Sequence, residues 1–198
     1  MPNFLEYYSR KEVQKAIVSA AKNKEVAVKY LDEGFGKRPD TLQFNNDVLE
    51  LAKSGVTSFH LSEEHWSNPL LLKPGMTKSQ LDDLRIGWDC ILDIDCKFLE
   101  FSKEAALLLA EALKFHDINK FGIKYSGNNG FHLGIPFESF PGKVYNQDTR
   151  LLFPDGVRVI ATYLKNLISD PLSEKILKIS KIEEIAKVVS KNKSELLI

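Results

Sequence analysis

Apolar positions Val13, Ala16, Ile17, Ala20 and Ala21 recur at helical spacing between Ser9 and Lys22, and predict a helix whose first turn Ser9 can cap. The stretch "EVAVKYL" (25–31) alternates as a strand does, and "GFGKRPD" breaks it with two glycines and a proline. Asn46 is placed to cap a short helix bearing Val48, Leu49, Leu51 and Ala52, which Gly55 ends before the strand-like "VTSFHLS". The prolines and glycine of "EEHWSNPLLLKPGMTKSQ" (63–80) predict an irregular connection, with Thr77 opening a helical turn.

The middle of the chain has the clearest pattern. A strand "WDCILDIDC" (88–96) precedes a helix from Ser102 to His116, a strand "KFGIKYS" (120–126), a glycine-rich turn and a strand "FHLGIPF" (131–137). This order is β-α-β-β. Ala105, Leu108, Leu109, Ala112 and Leu113 give the helix a broad apolar face, suited to lying across a sheet. Beyond a polar loop, "VRVIATYLKNLI" (157–168) and, past Pro171, the stripe Ile176, Ile179, Ile182, Ile185, Ala186 and Val189 predict a helical C-terminal portion. Its many lysines alternate with Glu174, Glu183, Glu184 and Glu195, as on a solvated helix face.

Composition narrows the function classes. A chain of 198 residues that is 43% hydrophobic can bury a real core. Its 27 basic and 27 acidic side chains cancel, so any attraction to nucleic acid has to come from a local patch. Cys90 and Cys96 match no zinc or disulfide spacing, which points to a reducing, cytoplasmic setting. The N-terminal "MPNFLEYYSRKEV" lacks a signal-peptide pattern, and no apolar run in the chain predicts a membrane span.

Two stretches carry candidate chemistry. In "WDCILDIDC", strand parity puts Asp89, Ile91, Asp93 and Asp95 on one face. Two aspartates at i and i+2 repel one another unless a cation or a basic side chain lies between them, and their oxygens suit Mg²⁺ or Mn²⁺. The alternative is an edge strand whose Asp93 and Asp95 simply face water. In "IKYSGNNGFHLGIPFE", the "GNNG" (127–130) suits a hairpin turn of two residues with positive φ. Alternation then sends Lys124, Ser126 and His132 to one side, and Ile123, Tyr125, Phe131 and Leu133 to the other. A lysine, a hydroxyl and an imidazole beside open turn amides would suit a triphosphate. No G-x-S-x-G or G-x-x-x-x-G-K-[ST] occurs, and His60 with His65 lacks a third ligand.

"ILDIDC" followed by "KYSGNNGFHLGI" resembles the first two motifs of the archaeo-eukaryotic primase superfamily, an apolar strand ending in D-x-D and then S-G-x-x-G-x-H. "YYSR", "KEVAVKY", "GKRP" and "VRVIATYL" are also similar to segments of archaeal primase small subunits. The resemblance implies an α+β fold with a primase-like, RRM-like β-α-β-β catalytic core, a mixed sheet and flanking helices. We expect one domain over 1–198, with an N-terminal portion 1–85, a motif-bearing core 86–140 and a helical portion 150–198. It further implies that Asp93 and Asp95 hold the divalent metals, Mg²⁺ or Mn²⁺, and that Ser126, Gly127 and His132 contact a nucleoside triphosphate. Lys124 stands where relatives carry a basic residue beside the phosphates. A single-stranded DNA template is the further implied partner.

Three departures from the family pattern stand out. Its third motif, an apolar residue and a metal-binding aspartate on a later strand, has no counterpart in the residues after His132, where Asp148, Asp155 and Asp170 fall in a loop, before a helix and at a helix end. Asn128 and Asn129 stand where many relatives have arginine or lysine, and the cysteine-rich zinc insertion is missing. A further segment of the polypeptide, or a second polypeptide that is either a primase large subunit or a chain supplying the missing motif, is therefore expected to complete the site. The alternatives are a catalytically incomplete nucleotide- or nucleic-acid-binding subunit of a replication or repair complex, or a domain with no site at all.

Overall fold

The structure, a computed structural model, describes residues 4–31 and 34–179. The second half of the C-terminal stripe, from Ile182 to Val189, lies outside the described residues. In chain order the elements are α1 (Phe4–Ser9), α2 (Lys11–Ala20), β1 (Val26–Tyr30), β2 (Gly34–Phe35), α3 (Asn45–Lys53), β3 (Val56–Leu61), β4 (Glu64–Trp66), α4 (Lys78–Leu84), β5 (Arg85–Trp88), β6 (Cys90–Asp95), α5 (Leu99–Phe115), β7 (Gly122–Tyr125), β8 (Gly130–Ile135), β9 (Lys143–Val144), β10 (Gln147–Asp148) and α6 (Asp155–Ile179). The fold is α+β, and among the described residues no helix is long and apolar enough to cross a membrane. Every described strand pairing is antiparallel, in four small sheets, which corrects the expectation of one mixed sheet. The chain divides into two compact units, Met1–Asp89 with Phe140–Phe153, and Cys90–Ser139 with Pro154–Ile198.

In the first unit the sheet β2-β1-β3 buries Val26, Val28 and Val56 against Val48 and Ala52 of α3 and Val13 of α2. The expected first helix is two helices. Ser9 closes α1, its hydroxyl donating to the Glu6 carbonyl at 2.7 Å, instead of capping α2. The carbonyls of Tyr8 and Ser9 at this corner accept from the buried Gln14 amide at 2.9 and 3.2 Å, so the bend leaves no orphaned acceptor there. At α3 the carboxylate of Asp47, not Asn46, accepts the N–H groups of Gln43 and Phe44 at 2.9 and 2.8 Å. Thr77 opens α4 as expected, in a reciprocal pairing with Gln80.

The connection over 63–80 contains a strand that the sequence pattern did not reveal. β4 pairs with β5, and the buried guanidinium of Arg85 joins them through Glu64 at 2.7 Å while lying 5.4 Å from the ring centroids of both Trp66 and Phe153. Trp88, 1% exposed, anchors the return segment by donating its indole N–H to the Thr149 carbonyl at 2.9 Å.

The expected strand 88–96 is also two elements, split at Asp89, because β5 pairs with β4 and β6 pairs with β8. The second unit holds the β-α-β-β segment together with α6. Its sheet has the order β6-β8-β7, with α5 packed on one face and α6 on α5. Leu133, Ile135 and Cys90, all 0% exposed, meet a helix face that includes Ala105, Leu109, Ala112 and Leu113. β6 is therefore an edge strand among the described residues, not the central strand its apolar run suggested. Pro171 does not break α6, correcting the expected interruption there and the placing of Asp170 at a helix end. The ring lies at an exposed position, while Leu164 and Ile168 are buried and Lys175 pairs with Glu104 of α5 at 2.8 Å. Those contacts outweigh the roughly 3 kcal/mol that a proline costs a helix interior.

Candidate functional site

Strand register in the second unit fixes which side chains share a face. Asp93 lies directly opposite His132, and His132 directly opposite Lys124, so the three form one row across β6, β8 and β7. Residues directly opposite one another in an antiparallel pair project to the same face. The neighbouring apolar row, Leu92, Leu133 and Ile123, projects to the other face. Leu92 and Leu133 are buried there, so the face with the charged row is the one turned away from this core.

His132 Nε2 lies 3.5 Å from Asp93 Oδ1, and Asp93 keeps 70% of its side-chain surface exposed. Asp95, two residues along β6, shares the Asp93 face and is exposed. Opposite it stands Gly130, whose own neighbour across the hairpin is Ser126, joined by the Ser126 N–H to Gly130 carbonyl bond at 2.9 Å. A second row, Asp95, Gly130 and Ser126, thus runs beside the first. Gly130 fits because a Cβ there would stand 2.3 Å from the Ile94 carbonyl oxygen of β6. The close approach of the two strands at the aspartates depends on this glycine.

The turn differs from the expected two-residue loop. Ser126 and Gly130 close it, leaving Gly127, Asn128 and Asn129 between them, and only Gly127 has a positive φ, of 97°. Space beside Gly127 is open. The loop is tied down from beneath, because the buried hydroxyl of Ser102 on α5 donates to the Asn129 carbonyl at 2.7 Å and Tyr125 donates its phenol proton to the Asn128 carbonyl. Neither tie is legible in the sequence, although Ser102 stands two residues before Glu104 near the helix start, a place where hydroxyls commonly serve the backbone.

Lys124, Ser126, His132, Asp93 and Asp95 are thus brought to one face. Asp89, of the same parity in the sequence, is not among them. Its carboxylate belongs to the first unit, 2.5 Å from Lys24 Nζ and 3.1 Å from His65 Nε2. Burial opposes its ionisation, but hydrogen bonds from His65 and Lys24 and their charges outweigh it and hold its pKa down to about 2. Asp148 pairs with Arg150, and Asp155 begins α6, so neither stands in the row. Among the described residues no group of three or more His, Cys, Asp or Glu side chains is disposed to hold a metal ion by itself.

No family model matches the chain. The chain is similar to an uncharacterised protein of the archaeon Methanocaldococcus jannaschii, 31% identical over 78 residues, which are 39% of this chain. The match spans 17% of that protein's length.

Proposed function

We propose that the chain is a metal-dependent nucleotidyltransferase of the DNA primase type, its second unit a primase-like core with an RRM-like β-α-β-β arrangement. The observation that carries this reading is the row Asp93, His132 and Lys124, with Asp95 and Ser126 beside it, on the sheet face away from the helix. Carboxylates at one edge and a cation at the other are what binding of a metal and a triphosphate side by side requires. In the proposed reaction, directed by a single-stranded DNA template, a primer 3′-hydroxyl attacks the α-phosphate of a nucleoside triphosphate in line. The new ester bond forms as the bond from the α-phosphorus to the bridging oxygen breaks, pyrophosphate leaves and the hydroxyl proton passes to solvent.

Each group has a role consistent with its place. Lys124 offsets phosphate charge, Ser126 donates a hydrogen bond, the open space at Gly127 lets a phosphate approach the backbone, and His132 sits between anion and carboxylate. Asp93 and Asp95 are hard oxygen donors and fit Mg²⁺ or Mn²⁺, ions that take one or two protein carboxylates and complete their shells with water and phosphate oxygens. Such an ion would lower the pKa of the attacking hydroxyl and neutralise phosphate charge.

The lack of a three-member cluster among the described residues favours a second reading, in which the chain binds nucleotide but needs a partner polypeptide for chemistry. Primer synthesis and extension on a single-stranded template, with the chain alone and then with a co-purifying partner, separates the two. Activity of the chain alone supports the enzyme, activity only with the partner supports the divided site, and failure to bind any nucleoside triphosphate with Mg²⁺ or Mn²⁺ overturns both.

A further inference from the structure

We infer that the free edge of β7 is a self-association surface, at which two copies of this chain pair their β7 strands antiparallel about a twofold axis at Ile123. Among the described residues no strand pairs with this edge, and its hydrogen-bonding groups are open. Ser126 and Gly130 form a hydrogen-bonded pair, and by the alternation of antiparallel ladders Lys124 with His132 and Gly122 with Gly134 do so as well. The N–H and C=O groups of Ile123 and Tyr125 then point away from β8. All four residues of β7 are exposed, and Ile123 and Tyr125 keep 42% and 51% of their surface although they lie on the apolar face of the sheet. An edge of this kind is a template for another strand.

The sequence "FGIKY" (121–125) selects a second copy as the occupant and fixes its register. With Ile123 opposite Ile123 of the second copy, Phe121 faces Tyr125 of the other chain on both sides of the axis, giving an unbroken apolar row with aromatic ends. Lys124 then faces Gly122 of the second copy, where no side chain competes for space or charge. A twofold at Lys124 would instead set two ammonium groups directly opposite, and one between Ile123 and Lys124 would mix the apolar and charged faces. Tyr125 is already held in place, its ring 5.7 Å from that of Phe131 and its hydroxyl bonded to the turn. The pairing makes one six-stranded sheet, with both charged rows on a continuous face.

Sedimentation of the full chain from micromolar to near-millimolar concentration tests this. A concentration-dependent dimer is expected, and Ile123→Asp, which sets two carboxylates across the axis, weakens it roughly tenfold or more with the far-ultraviolet spectrum unchanged. A chain that stays monomeric throughout, or a dimer indifferent to Ile123→Asp, overturns the inference. Should Ile123→Asp fail to fold, oxidation in a Cys96→Ser background decides. Ile123→Cys places two sulfurs across a hydrogen-bonded pair about 5.5 Å apart at Cα and cross-links, whereas Lys124→Cys leaves them about 8 Å apart and does not. Equal cross-linking of both, or of neither, also overturns it.

Discussion

His132 and Asp93 face each other across β8 and β6 with Nε2 3.5 Å from Oδ1, and both side chains reach solvent. A pair so exposed contributes little to stability. Asp93→Asn, Asp95→Asn and His132→Ala should therefore leave the melting temperature of the free protein nearly unchanged. Under the proposed function, Mg²⁺ or Mn²⁺ with a nucleoside triphosphate at roughly a hundredfold excess over Kd should raise that temperature by roughly 5–10 °C, and either aspartate substitution should abolish the rise. A rise that survives both substitutions places the nucleotide elsewhere.

Lys124 lies at the opposite end of the same row, on a strand whose residues are all exposed. Lys124→Ala should weaken triphosphate binding by about tenfold, the loss of one charge-assisted contact, and Lys124→Arg should restore most of it. Titration calorimetry against nucleoside triphosphate and nucleoside separates this from a general defect. The nucleoside, which has no phosphate, should not distinguish the variants.

The parts of the fold legible in the sequence are those where the physics is local. Period-2 alternation in 122–125 and 130–135 is a property of each strand, and it is enough to assign Lys124 and His132 to one face. The buried stripe of α5 is equally plain, since Ala105, Leu108, Leu109, Ala112 and Leu113 are all covered. Pairing is not local. "WDCILDIDC" reads as one central strand because nothing in it shows that Trp88 pairs through β5 with β4 while Ile91 pairs with β8. The cluster of Lys24, His65 and Asp89 joins three residues distant in the chain, so no spacing rule could find it.

The sequence pattern makes Gly130 a turn residue tolerant of positive φ, but its role is steric. A Cβ at this position would stand 2.3 Å from the Ile94 carbonyl oxygen and 3.3 Å from the Asp95 Cα, both backbone atoms that no rotamer change can move. Gly130→Ala should push β6 from β8, costing about 2–3 kcal/mol in urea unfolding and separating Asp95 from Ser126. Gly127→Ala is the contrast: it meets open space, and its cost of about 1 kcal/mol comes only from the positive φ. Equal costs at the two glycines would refute the close-approach account.

Asp89 gives the first unit an acid-sensitive contact. Its folded pKa of about 2 lies below the ordinary 3.8, so it binds its proton less readily when folded than when unfolded. The resulting stabilisation is fully present above about pH 5, declines as the pH falls through 3.8, and is gone below about 2. The shift corresponds to about 2 kcal/mol. Asp89→Asn keeps the shape but removes the charge beside Lys24 and His65, whose side chains are only 12% and 17% exposed. The variant should be about 2–3 kcal/mol less stable at about pH 7, because two largely buried donors lose their anion. It should also lose the part of the acid dependence between about pH 5 and 2 that the wild type shows in urea unfolding, so the two stabilities converge toward the acid end. A difference that stays constant across that whole range would mean that packing, and not the charge on Asp89, holds this corner of the unit together.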